Sequence, residues 1–142
     1  MNLDELTSAI IGSAIEIHRE LGPGLFESAY EACLTYDLQQ KEFQIERQKA
    51  LPIVYRGIQL DEAYRLDVVV ENAVILELKS VESLLPIHTA QLLSYLKLSG
   101  MHVGLLINFN VPVLKDGIKR VVNEYTEDKR YTAKVQSTRR KK

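Results

Sequence analysis

The chain holds one cysteine, Cys33, in 142 residues. It cannot form an internal disulfide, a thiolate zinc site or the four-thiolate cradle of an iron–sulfur cluster, so stability has to come from packing. Long apolar runs are also missing. Stretches such as residues 68–70 and 103–107 are short, whereas a membrane-spanning helix needs about 20 apolar residues. The start, Met1-Asn2-Leu3-Asp4-Glu5, carries no basic leader, and the expectation is a cytoplasmic protein with no membrane partner. Neither an internal repeat nor a low-complexity segment precedes the C-terminal end. With 46% hydrophobic and 26% charged residues, seven Gly and four Pro, the composition suits one ordinary globular domain rather than two.

Net charge is small only on average. The formal value is -1, yet residues 126–142 carry seven Lys/Arg against Glu127 and Asp128, about +5, which leaves about -6 on the first 125 residues. This basic tail reads either as an electrostatic arm for a polyanion such as nucleic acid or as a solvated end without a role.

Periodicity supplies the elements. Leu3, Leu6, Ile10, Ala14, Ile17 and Leu21 recur every three or four residues and make one apolar helical stripe, which Gly22-Pro23-Gly24 ends. A second helix is expected over about residues 25–40, with Phe26, Ala29, Tyr30, Cys33, Leu34 and Leu38 inward and Glu31, Asp37, Gln39 and Lys41 facing water. Residues 51–55 and 58–60 read as a hairpin around Arg56-Gly57, and residues 64–70 and 74–79 as two stronger strands joined by Glu71-Asn72-Ala73. A third helix starts near Pro86 and ends before Gly100, packing through Ile87, Ala90, Leu92 or Leu93, and Leu96. Residues 103–107 suit a strand covered on both faces, and residues 118–122 suit a last strand or short helix. The expected order is α-α-β-β-β-β-α-β.

Chemistry concentrates in Arg65-Leu66-Asp67 and Glu77-Leu78-Lys79. Strand side chains alternate faces, so Ile75, Glu77 and Lys79 share one, about 6.6 Å separating alternate residues. Charges inside an apolar strand are expensive unless paired or bound to a metal. Parity decides whether Asp67 joins them. A two-residue loop at Glu71-Asn72 sets Asp67 opposite Leu76, on the wrong face, and a three-residue loop sets it opposite Glu77. In the second register two carboxylates lie together, and oxygen-only donors suit Mg²⁺ or Mn²⁺. Lys79 is then placed to stabilise charge on phosphoryl oxygens or to deprotonate water.

In this order of motifs the chain resembles the PD-(D/E)XK nuclease superfamily. More closely it resembles the GxxExxY protein family, through Gly24-Leu25-Phe26-Glu27-Ser28-Ala29-Tyr30, Arg65-Leu66-Asp67, Glu77-Leu78-Lys79, His88-x-Ala90-Gln91-Leu92-Leu93-x-Tyr95 and Leu106-Ile107-Asn108-Phe109. Leu66 stands where the name pattern has Pro. The resemblance implies a restriction-endonuclease-like α/β fold, a mixed central sheet flanked by helices, over residues 1–125, with residues 126–142 as tail. It implies that Asp67, Glu77 and the Leu78 carbonyl bind metal, that Lys79 is the catalytic lysine, and that Glu27, Gln91 and Tyr95 complete the site. The absent cysteine cluster excludes the iron–sulfur members. The activity implied is Mg²⁺-dependent, or Mn²⁺-dependent, phosphodiester hydrolysis on DNA or RNA, with a homodimer as the form in which so small a chain would grip a duplex.

Competing readings stand beside these. The strand charges can form a structural ion-pair network, Glu27 can be a first-turn acid favoured by the helix dipole, and Tyr30 suits a core position with its hydroxyl bonded to a polar neighbour. His88 shares a helical stripe with Gln91 and Tyr95, as a ligand or as a helix-start residue bonded locally. Lys115, Lys119 and Arg120 suit phosphate contacts or plain solvation. The whole chain also fits a non-catalytic nucleic-acid-binding or regulatory module, or an acidic body that binds a protein. If the tail is a phosphate-contacting arm, deleting residues 126–142 is expected to weaken nucleic-acid binding and flatten the slope of log affinity against log salt. An unchanged slope in a salt titration removes the arm.

Overall fold

The computed structural model describes residues 1–123, so the basic tail and the domain limit drawn at 125 fall outside the described residues. Helix α1, Leu3–Leu21, opens on a capping box. Asn2 accepts the Glu5 N–H at 2.8 Å while Glu5 accepts the Asn2 N–H at 3.0 Å, which satisfies two of the four orphan donors at a helix start. Leu3, Leu6, Ile10, Ala14 and Ile17 form its buried stripe, and Leu21 at the end is exposed. Helix α2, Glu27–Gln40, buries Tyr30, Leu34 and Leu38 at intervals of four.

Two expectations on α2 fail for local reasons. Phe26 is outside, because it occupies the N-cap with extended backbone, φ -68° and ψ 151°, and so leaves the helical stripe. Glu31 is inside, because Arg47 Nε and Gln48 Nε2 from the neighbouring strand donate to its two carboxylate oxygens at 3.0 and 2.9 Å. Both partners lie far along the chain, beyond what helical periodicity registers.

Five strands make one mixed sheet in chain order: β1, Ile45–Tyr55; β2, Ile58–Val70; β3, Val74–Lys79; β4, Val103–Asn108; and β5, Ile118–Val122. Only β3 and β4 are parallel, and helix α3, Pro86–Ser99, is the crossover between them. The sequence-based order is therefore corrected. The pieces read as two strands at 58–60 and 64–70 are one 13-residue strand, because β1 pairs along both of them across an irregularity between Leu51 and Ile53. The last element is a strand after a 3₁₀ turn, Leu114–Gly117, which gives α-α-β-β-β-α-β-β.

Helices α1 and α2 cover one face of the sheet on Val68, Val70, Val74, Leu76, Leu105 and Ile107. Helix α3 covers the other through Leu92, Tyr95 and Leu96 on Val69, Ile75 and Leu106. Ile87 and Ala90, expected to pack, lie outside that stripe at the exposed helix start. This is the restriction-endonuclease-like α/β architecture. Among the described residues no helix is long and apolar enough to cross a membrane.

The 3₁₀ turn presses on the sheet at Gly117, where a Cβ would stand 2.3 Å from the Asn108 carbonyl oxygen. Asn108 is the cross-strand partner of Lys79, so this backbone cannot yield without shifting the end of β3. Gly12, in α1, has open space around it. Accordingly Gly117→Ala should lower the stability read by urea unfolding by about 1–3 kcal/mol, whereas Gly12→Ala should raise it by roughly 0.5–1 kcal/mol.

Candidate active site

The connection Glu71-Asn72-Ala73 sets the register that the site needs. Glu71 and Asn72 both adopt positive φ, 54° and 51°, and the Ala73 N–H closes the turn on the Val70 carbonyl at 2.9 Å, as in a primed hairpin turn. Ala73 is then an extra residue on its strand. Val70 opposes Val74 and Val68 opposes Leu76, the three-residue alternative of the parity argument.

The β2–β3 ladder consists of those pairs and Val69 opposite Ile75, whereas β3 runs on beside β4 as far as Lys79. Past Leu76 the strand amides that would have bonded across to a neighbour meet side chains instead. The Asp67 N–H donates to Glu77 Oε2 at 3.1 Å, and the Leu78 N–H donates to Asp67 Oδ2 at 2.9 Å. Each acid therefore holds the backbone of the other's strand. The N–H and C=O of one strand residue point to the same edge, so the Leu78 carbonyl also faces this gap.

Burial makes the pair electrostatically tense. Glu77 is 6% exposed, and loss of solvent, reinforced by the Asp67 charge, pushes its pKa up to about 8 against the opposing pull of the Asp67 N–H and Lys79. Asp67 is raised as well, by burial first and then by Glu31 and Glu27, with the Leu78 N–H and Lys79 acting against them. Tyr95 of α3 is also raised, by burial and then by the Glu77, Tyr64 and Asp67 charges. Its ring lies 5.8 Å from that of Tyr64.

Glu27 reaches the same place from α2. Its carboxylate accepts the Ser80 N–H at 3.1 Å, one residue past Lys79, and Ser80 Oγ donates to the Leu25 carbonyl at 2.7 Å. Tyr30 fixes the loop from below, donating to the Gly22 carbonyl at 2.6 Å, accepting the Leu25 N–H at 3.1 Å, and stacking on Phe109 at 4.2 Å. Gly24, at φ 92°, turns the chain where a side chain would be strained. The Gly24 to Tyr30 motif is thus a device for presenting Glu27.

Asp67, Glu77, Lys79, Glu27 and Tyr95 are coupled around one gap. Gln91 is not tied to it: it lies exposed on α3, one turn before Tyr95. His88 is a helix-start residue, its Nδ1 accepting the Leu85 N–H at 3.0 Å. Three contributors escaped the sequence reading. Glu31 adds negative charge beside Asp67, Ser80 joins α2 to β3, and buried Asn108 accepts the Val81 N–H and donates to its carbonyl, both at 3.0 Å. Its place after Leu106-Ile107 in a motif already singled out was the available signal for Asn108.

A divalent cation fits the donor chemistry. Among the described residues no three His, Cys, Asp or Glu side chains converge as a ready-made ligand set, so the side-chain donors here are two carboxylates. That suits a hard divalent cation held through one or two carboxylates and keeping several waters.

Comparison with family models places the chain in a class. A model of the PD-(D/E)XK nuclease superfamily matches residues 4–121, and the chain belongs to that superfamily. Membership points to nuclease activity on a nucleic-acid substrate, in a superfamily whose nucleases commonly use divalent metals. No curated protein matches the chain, and no solved structure does.

The raised Glu77 pKa has a stability consequence. An acid whose folded pKa lies above its unfolded value stabilises the fold at low pH, and that contribution is lost as pH rises, here from about 4.5 to about 8. In EDTA, Glu77→Gln should therefore gain on the wild type between pH 5 and pH 9, by on the order of a few kcal/mol. Urea midpoints across that range check it. A constant difference would show that Glu77 is not held in this environment.

Proposed function

We propose that this chain is a divalent-metal-dependent phosphodiester hydrolase acting on DNA or RNA, using Mg²⁺ or Mn²⁺, of the GxxExxY type, in the cytoplasm, with residues 1–125 as the nuclease-like domain and 126–142 as a basic tail. The observation that carries this reading is the gap beyond Leu76, where Asp67 and Glu77 face each other beside Lys79. Asp67, Glu77 and the Leu78 carbonyl would hold the cation. When bound, it supplies a Lewis acid and lowers the pKa of water. Lys79 steadies charge on the phosphoryl oxygens or takes a proton from water. Glu27 holds the Ser80 amide and so the exit of β3, while Tyr95, with Gln91 one turn away, orients the phosphate or a base. A homodimer is the form proposed for gripping a duplex.

The non-catalytic reading draws on one feature of the same site: each carboxylate already serves a backbone amide. Cleavage assays on single- and double-stranded DNA and RNA, with Mg²⁺, Mn²⁺ or EDTA, separate the two. Cleavage should require the metal, and Lys79→Ala and Glu77→Ala should each lower its rate by about 10²-fold or more with the fold retained by circular dichroism. Binding without cleavage in either metal would leave the regulatory module.

A further inference from the structure

A polar cavity with an aromatic lip lies beside the end of β3, at Glu27 and Ser80. Gly24, Leu25, Phe26, Glu27, Ser80 and Asn110 are among the residues lining a cavity of about 520 Å³, within the roughly 300–1,000 Å³ typical of ligand sites. Phe26 is 85% exposed. Its backbone is nevertheless fixed on both sides: Leu25 is held through its N–H by Tyr30 and through its carbonyl by Ser80, and the Ala29 N–H donates to the Phe26 carbonyl at 3.1 Å. The backbone that carries the ring is therefore set next to Glu27, whose carboxylate is bonded to the residue after Lys79.

We propose that Phe26 is a stacking platform for an unpaired nucleobase adjacent to the scissile phosphate, and that the substrate is single-stranded or frayed nucleic acid. This rests on the nuclease reading given above. A phosphate engaged beside Lys79 would set the neighbouring nucleotide toward Ser80, which lines the cavity. The Glu27 carboxylate there disfavours a second phosphate, whereas a neutral base meets the Phe26 ring face to face and finds Ser80 and Asn110 as polar partners for its edge. Bases inside a duplex are already stacked on both faces. Only an unpaired base can leave the stack to offer its face, and base–aromatic stacking is tolerant of which base it is.

The test uses the full chain with Lys79→Ala in the presence of Mg²⁺, so that the cation is supplied and cleavage does not consume the probe. Oligonucleotides carrying 2-aminopurine are offered as single-stranded DNA, single-stranded RNA and blunt duplex. Binding should quench the single-strand probes. Adding Phe26→Ala should abolish the quench and weaken single-strand affinity by about 5- to 100-fold while leaving duplex affinity unchanged, and Phe26→Trp should preserve both quench and affinity. An absent quench, an unchanged single-strand affinity in Phe26→Ala, or an equal loss on duplex would overturn the platform. Quenching by the wild type without cleavage in Mg²⁺ or Mn²⁺ would uphold the platform and remove the nuclease reading. Cleavage of single strands and duplex alike by wild type and Phe26→Ala would overturn the platform and leave that reading standing.

Discussion

Two backbone amides deprived of a strand partner shape this molecule. A buried N–H without an acceptor costs about 1–3 kcal/mol, and the β2–β3 ladder stops at Val68 and Leu76 with the sheet still continuing on its other side. Asp67 and Glu77 solve the problem by exchange, each taking the amide of the opposite strand. The solution brings two carboxylates into one partly buried gap. The features that make the site chemically distinctive, raised carboxyl pKa values and a nearby lysine, follow from that local failure of sheet pairing.

Holding the gap open requires support from elements distant in sequence. Asn108, across from Lys79 on β4, secures Val81 through two hydrogen bonds, and Ser80 ties the same segment to α2. Tyr30 and Phe109 stack beneath the loop that carries Glu27. Between them these contacts fix where β3 ends. Precision at the acidic pair thus depends on contacts made away from it, by buried Asn108, Tyr30 and Phe109 and by half-buried Ser80.

Much of this was legible beforehand, for identifiable reasons. The α1 stripe announced itself because its apolar residues keep a period near 3.6, and Glu77 with Lys79 stood out because charge is expensive inside an apolar strand. The register of Asp67 was legible only as a choice between two parities. It was settled by a primed turn at Glu71-Asn72 followed by an extra residue, and no local preference of Glu for positive φ could have indicated that. From the sequence, residues 58–60 and 64–70 read as two strands, although β1 pairs along both of them. Glu31 looked like a solvated helix residue until Arg47 and Gln48 supplied its partners. Long-range compensation of a charge leaves no periodic trace.

The charge balance around the gap raises a final physical question, which is how such a surface meets a polyanion. Glu27 and Glu31 act on Asp67, and Glu27 and Asp67 act on Glu77, while Lys79 and Arg47 oppose them, the latter bonded to Glu31. The site is therefore net acidic, as are the first 125 residues taken together, at about -6. A phosphate cannot be drawn to such a place by the side chains alone. Positive charge has to come from elsewhere, and on the proposed reading two sources suit it: a divalent cation held by Asp67 and Glu77, which would invert the local field where Lys79 by itself does not, and the tail, whose charge of about +5 would act over a Debye length of about 8–10 Å at ordinary ionic strength. On the proposed reading, an acidic body combined with a basic end separates attraction from positioning: the tail would hold nucleic acid in general, and the gap would admit it where a cation makes room.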